Sequence, residues 1–223
     1  MKIIVISLLT IIMMGLMSPS VLGEVFINEE EFYPFSIEYP SDWKIVSTKP
    51  VTSGGVMIDS DKTGRNGMWV GFWNNIVDSN DSDHELLEFQ KNNIKEFCFN
   101  STQEKHFGEC SHLTFQTNKI QEVDGFRAVT SIMKYDWLME KPDPMFEDST
   151  TGKFSTIDTL TWILSGNDIW IIATTNNADK FDKKQIHDII HSFKLKNIEQ
   201  SILEPQPKYW YDSIIDFFKS LFV

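Results

Sequence analysis

Asp124-Gly125 is the feature that most narrows the folds open to this chain. It stands between two long β-rich stretches, residues 113–123 and 126–139. An Asp-Gly pair suits the tight two-residue turn of a hairpin, so these stretches are expected to pair as antiparallel neighbours. A second hairpin is expected across Gly166-Asn167-Asp168, joining 155–164 to 169–175. Upstream, Phe35-Ser36-Ile37-Glu38-Tyr39-Pro40 alternates apolar and polar residues and stops at proline, as a strand does. Trp43-Lys44-Ile45-Val46 continues extended, Val56-Met57-Ile58 forms a short strand after the Gly54-Gly55 turn, and 68–77 reads as a buried strand. Residues 24–31 are acidic and are expected to be loose.

Two helices complete the reading. Ser82-Asp83-His84-Glu85 has capping-box spacing, in which the serine hydroxyl and the glutamate carboxylate each take a free amide of the first turn. The helix it opens runs to about Phe97, with Leu86, Leu87, Ile94 and Phe97 on one stripe. The last core helix covers about 178–192, and Phe181, Ile186, Ile189, Ile190 and Phe193 supply its buried face. Residues 98–110 and 140–153 read as loops. The fold class is therefore α+β, an antiparallel β-sheet flanked by helices. There are no internal repeats and no low-complexity tract.

The chain is expected to be exported. Lys2 precedes an apolar run from Ile3 to Leu16, and small residues follow up to Gly23, the layout of a secretory signal peptide over 1–23. An uncleaved N-terminal anchor is the alternative, but the run is short for a span of roughly 20 residues. What remains divides into a domain over 24–196, a linker over 197–207 and a C-terminal segment over 208–223. The formal charge of −12 argues against nucleic acid as a partner, because such binding is led by Lys and Arg contacts to phosphate.

The only two cysteines, Cys98 and Cys110, are expected to pair in an exported chain, which stabilises a loop of this size by about 3 kcal/mol. The rival reading groups Cys98, His106, Cys110 and His112 as soft ligands for copper or zinc, although the spacing matches no strong zinc motif. His187 and His191 lie four apart on one helix face, where a solvated surface is the simpler account. Asp78 to Asp83 resembles half of a calcium loop but lacks the glycine and the final glutamate, and a capped helix entrance explains it. Asn80 and Asn100 each begin a glycosylation sequon. No G-x-S-x-G, H-E-x-x-H or glycine-rich phosphate loop is present, so no catalytic residue is assigned and no cofactor is expected.

After Pro205-Gln206-Pro207, a helix over 208–223 would place Trp210, Ile214, Phe217, Phe218 and Leu221 on one broad apolar side. It is too short and too charged to span a bilayer. It either meets a membrane surface or protein partner, or packs on its own domain; its polar side is not basic, which weakens lipid attraction.

The run Phe35-Ser36-Ile37-Glu38-Tyr39-Pro40-Ser41-Asp42-Trp43 resembles the first hairpin of the PsbP family, and the closing His191-Ser192-Phe193-Lys194-Leu195 is similar to that family's end. The likeness covers roughly residues 32–195, and its nearest counterparts are exported PsbP-like proteins of archaea and bacteria. It implies an α/β/α sandwich and a binding or assembly role rather than a reaction. The leading expectation is thus an exported, non-catalytic binding or assembly domain, held near a membrane or envelope complex by its last helix. A metal-binding extracytoplasmic protein and an enzyme of unknown class are the alternatives.

Overall fold

A computed structural model describes residues 22–30, 33–60, 65–104, 109–140 and 150–196, with side chains beyond Phe99 in the first helix excepted. The leader up to residue 21, the linker and the C-terminal segment lie outside the described residues. So do His106, the Asn100 side chain, and Trp210, Ile214, Phe217, Phe218 and Leu221. In chain order the elements are β1 (Glu24–Asn28), β2 (Phe35–Tyr39), β3 (Lys44–Thr48), β4 (Val56–Asp59), β5 (Gly67–Trp73), α1 (Asp83–Glu104), β6 (Glu109–Val123), β7 (Phe126–Met139), β8 (Gly152–Ser165), β9 (Asp168–Asn177), α2 (Lys183–Ser192) and β10 (Lys194–Leu195).

The strands form a seven-stranded sheet in the order β3-β4-β5-β9-β8-β7-β6 and a three-stranded sheet in the order β1-β2-β10, with every pairing antiparallel. The Asp124-Gly125 turn closes β6 on β7 with Val123 opposite Phe126, and both turn residues have positive φ, 52° and 79°. Asp124 does more than turn the chain. Its carboxylate also accepts the Leu195 N–H at 3.0 Å and pairs with Lys194 Nζ at 3.0 Å, so the hairpin holds β10 of the small sheet.

Residues 24–28 are a strand, not a loose arm: β1 pairs with β2 over its whole length, Glu24 opposite Tyr39 and Asn28 opposite Phe35. Val25-Phe26-Ile27 has high β propensity, and the acidic residues flank it without interrupting it. The first helix also outruns its expected end at Phe97 and continues to Glu104. The capping box forms as read, with the Ser82 N–H donating to Glu85 Oε2 at 2.8 Å and the Glu85 N–H to Ser82 Oγ at 3.3 Å. The second helix is shorter at its start, because Asp182 caps it by accepting the Lys184 and Gln185 N–H groups.

Successive residues of a strand point to opposite faces, and the core divides accordingly. Trp170 and Ile172 of β9 and Ile163 of β8 pack with Phe35, Phe193 and Ile186, Ile189 and Ile190 of α2. Ile169 and Ile171 of β9 and Trp162 and Leu164 of β8 pack with Leu86 of α1. On the α2 side, the fully buried Trp170 ring meets Phe72 at 5.1 Å, Phe35 at 5.3 Å and Phe193 at 5.6 Å between centroids. These rings come from both sheets and from the end of α2, so Trp170 is where the two sheets join. Trp170→Ala is expected to cost about 3–5 kcal/mol in urea unfolding. The conservative Trp170→Phe should recover part of that loss.

Candidate ligand cavity

The α1 face of the large sheet is not filled evenly. Gln90 of α1 is fully buried, and it pins the helix to the sheet. Its Nε2 donates to Val129 O at 3.1 Å and Leu160 O at 3.3 Å, and its Oε1 accepts from Ser131 Oγ at 2.7 Å. One turn further along, Ile94, Phe97 and Cys98 stand off the sheet over a cavity of about 70 Å³. Trp73, Met133, Leu160, Trp162, Ile171 and Ala173 form the rest of its apolar wall. The Cys98–Cys110 disulfide is part of the wall and ties α1 to the start of β6.

Two ionisable residues enter this wall, Asp158 of β8 and Tyr135 of β7. The Tyr135 hydroxyl donates to Asp158 Oδ2 at 2.5 Å. Burial pushes the Asp158 carboxyl up to about 7, against the lowering pull of Tyr135, Thr175 and the Asn176 backbone. Burial and the adjacent carboxylate likewise hold the Tyr135 phenol well above its ordinary value. Asp158 Oδ1 is sealed from solvent with no partner in bonding geometry, and so is Trp162 Nε1. Thr159 Oγ1 and Thr174 Oγ1, from residues of the same lining, are sealed and unpartnered too, and because buried polar atoms are nearly always hydrogen-bonded, these four are a standing cost of this region.

The residues singled out in the sequence lie elsewhere, apart from the cysteines. Both sulfurs are taken up in the disulfide, so a metal site using them would require that bond to be opened. His112 turns outward to Asp136, Nδ1 to Oδ2 3.0 Å, and Asp136 also pairs with Lys153 Nζ at 2.9 Å. These contacts, Lys153 first, hold the Asp136 carboxyl below its usual range. Among the described residues no group of three His, Cys, Asp or Glu side chains gathers as a metal site would. His187 and His191 lie with ring centroids 4.2 Å apart and planes tilted by 58°, and burial followed by His187 lowers the His191 pKa. The acidic run 78–83 is closed by Arg127, which donates to Asp83 and to the Asp81 carbonyl at 2.8 Å. Asn80 is exposed, its Nδ2 donating to Asp78 Oδ1 at 2.9 Å.

Fold and cavity together define, among the described residues, an α+β arrangement of antiparallel sheets with two helices and a partly enclosed, mainly apolar cavity under the longer helix. No protein-family model matches the chain, and no curated protein matches its sequence. Among solved structures, cyanobacterial PsbP from Synechocystis is similar at 9% identity and a TM-score of 0.49, over 79% of this chain and 94% of that one. A protein from Bacteroides thetaiotaomicron matches at 12% identity and a TM-score of 0.44, over 79% of this chain and 49% of that one. A Pseudomonas aeruginosa protein of unknown function, described as a putative regulator, matches at 12% identity and a TM-score of 0.34, over 83% of this chain and all of that one.

Two outcomes follow from the geometry. Reducing the disulfide, or replacing both cysteines by alanine, removes a link across a sequence separation of 12 and should lower stability by about 3 kcal/mol in urea. Asp158 gives a pH signature. The unfolded chain releases this proton near 3.8 and the fold keeps it to about 7, so stability is lost as pH rises through that window. Asp158→Asn should therefore gain on the wild type steadily from about pH 4 and hold a constant advantage above about pH 7. Urea unfolding of both proteins across that range measures the difference, which a carboxyl ionised throughout would leave flat.

Proposed function

We propose that this chain is an exported, non-catalytic binding domain whose binding element is the cavity between α1 and the large sheet. The observation that carries this reading is the cavity's mainly apolar wall, Trp73, Phe97, Met133, Leu160 and Trp162 among it, with the polar residues Tyr135 and Asp158 in the same lining. Ligand sites are built this way, mostly apolar with a few convergent polar groups that fix orientation. The disulfide agrees with an oxidising compartment, where such bonds persist. The opening motif supports the finer reading of a PsbP-like α/β/α sandwich, since Phe35–Tyr39 forms β2 and Trp43 is buried beside it in the core. So does the placement of α1 and α2 against alternate residues of β8 and β9. In this reading the segment 208–223 serves to keep the domain at a membrane surface or on a protein partner.

Size limits what the cavity takes. A water needs roughly 10–15 Å³ of such space, and a dry cavity of roughly 150 Å³ accepts benzene. The space of about 70 Å³ therefore suits a group of roughly five heavy atoms, either a small molecule or the end of a larger one. Affinity from the cavity alone should be no tighter than micromolar.

Titration of the mature protein with n-butanol, followed by tryptophan indole NMR signals, tests the reading. Saturable shifts of the Trp162 and Trp73 resonances are expected, and Ala173→Leu should weaken them at least about tenfold by filling the space. Unmoved resonances would remove the cavity's claim to be the binding element.

A further inference from the structure

We propose a second binding site on the opposite face of the large sheet: the cavity between α2 and β6 takes a small organic carboxylate, its head among Lys119, Lys183 and His187 and its apolar body against Ile132, Ile186 and Ile190. This site stands apart from the cavity under α1 and does not depend on it.

The space follows from where α2 sits. Ile186, Ile189 and Ile190 pack with Ile163 of β8 and with Trp170 and Ile172 of β9. β6 is the last strand of the sheet, two places beyond β8, and α2 overhangs it without covering it. A cavity of about 150 Å³ remains there. Alternation puts Thr117, Lys119 and Gln121 of β6 on this face, with Lys119 opposite Thr130 and Thr117 opposite Ile132. Gln121 Nε2 donates to Thr130 Oγ1 at 2.8 Å, and the Thr130 and Thr161 hydroxyls share a bond of 2.9 Å. The sheet side of the wall is thus held by its own hydrogen bonds.

Charge sets the chemistry. Lys119, Lys183 and His187 line the cavity, and among the described residues no Asp or Glu does. The chain as a whole is the reverse, with 32 acidic residues against 20 basic. Lys119 and Lys183 are exposed and form no ion pair among the described residues. The acids nearby are engaged. Asp188 pairs with Lys184 at 2.7 Å, Asp182 caps α2, and Asp124 pairs with Lys194 at 3.0 Å. His191, one turn beyond His187, registers the excess of positive charge. Burial first, then His187, Lys119 and Lys194, lower its pKa, with Asp188 opposing. An anion placed among these groups relieves their repulsion and gains charge-assisted hydrogen bonds. The net charge of −12 opposes its approach from afar, but screening over about 8 Å at physiological salt leaves the nearest cations in control at contact.

The size of the space selects the body. A dry cavity of roughly 150 Å³ accepts benzene, so a guest of about six carbons fits beside Ile132, Ile186 and Ile190. A carboxylate is a small, flat anionic head, which leaves most of the space to that body.

The test titrates the mature protein with benzoate, benzyl alcohol and acetate at pH 7, followed by the amide NMR signals of Lys119, Thr130 and His187. Benzyl alcohol keeps the ring without the charge, and acetate keeps the charge without the ring. Benzoate should bind at least about tenfold more tightly than either. Lys119→Gln with Lys183→Gln, both at exposed positions, should bring benzoate within about twofold of the alcohol while the urea midpoint stays unchanged. An alcohol that binds as well as benzoate, or a preference that survives the double substitution, overturns the carboxylate assignment. Acetate equal to benzoate reduces the site to a patch of surface charge and overturns the cavity's part in it. Shifts at Trp162 in place of Lys119 would put the guest under α1 and overturn the proposal, leaving the earlier reading standing.

Discussion

The packing of Trp170 against Phe35, Phe72 and Phe193 is the contact on which the rest of the domain depends. A small three-stranded sheet cannot bury its own apolar face, and here that face packs on the large sheet and α2. Phe35 of β2 and Phe193 at the end of α2 close on a tryptophan that projects from the middle of the large sheet, so one ring secures strand, helix and sheet at once. Asp124, in the β6–β7 turn, adds a polar fastening of β10 to the large sheet. With the α2 face secured in this way, the other face of the large sheet is free to be less than full.

That other face carries the cavity under α1. Gln90 holds α1 down at one point, and the disulfide holds it at another. Between them the helix bridges a gap that side chains do not fill. An aspartate placed there is costly, and Tyr135 offsets only part of the cost. A shape-matched apolar residue at position 158 would stabilise the domain more, because the hydrogen bonds from Tyr135, Thr175 and the Asn176 backbone offset only part of the carboxyl's burial.

The periodic parts of the chain could be read directly, and the solitary polar ones could not. Hairpins at Asp124-Gly125 and Gly166-Asn167-Asp168, the Ser82–Glu85 cap and the apolar stripe of α2 all arise from neighbours within a few residues, where local rules hold. The candidate site was only half visible. Cys98 and Cys110 were marked as a pair, but nothing marked Asp158, a single carboxylate in the alternating stretch Ser155 to Leu164, as different from any surface acid. The same is true of Gln90, which in sequence is one polar residue on a helix and in space is sealed between α1 and two strands.

By itself the sequence determined the turns, the strand pairs they impose, the capped start of α1 and the antiparallel class, because each follows from backbone preference and apolar spacing over short range. Tertiary structure alone decided that β1 and β10 join β2 as a second sheet, that α1 continues past Cys98, and that Tyr135 and Asp158 meet under it. Those outcomes join residues that are distant in the chain. Their energies come from shared burial and from charge removed from water, quantities that no local stretch of sequence contains.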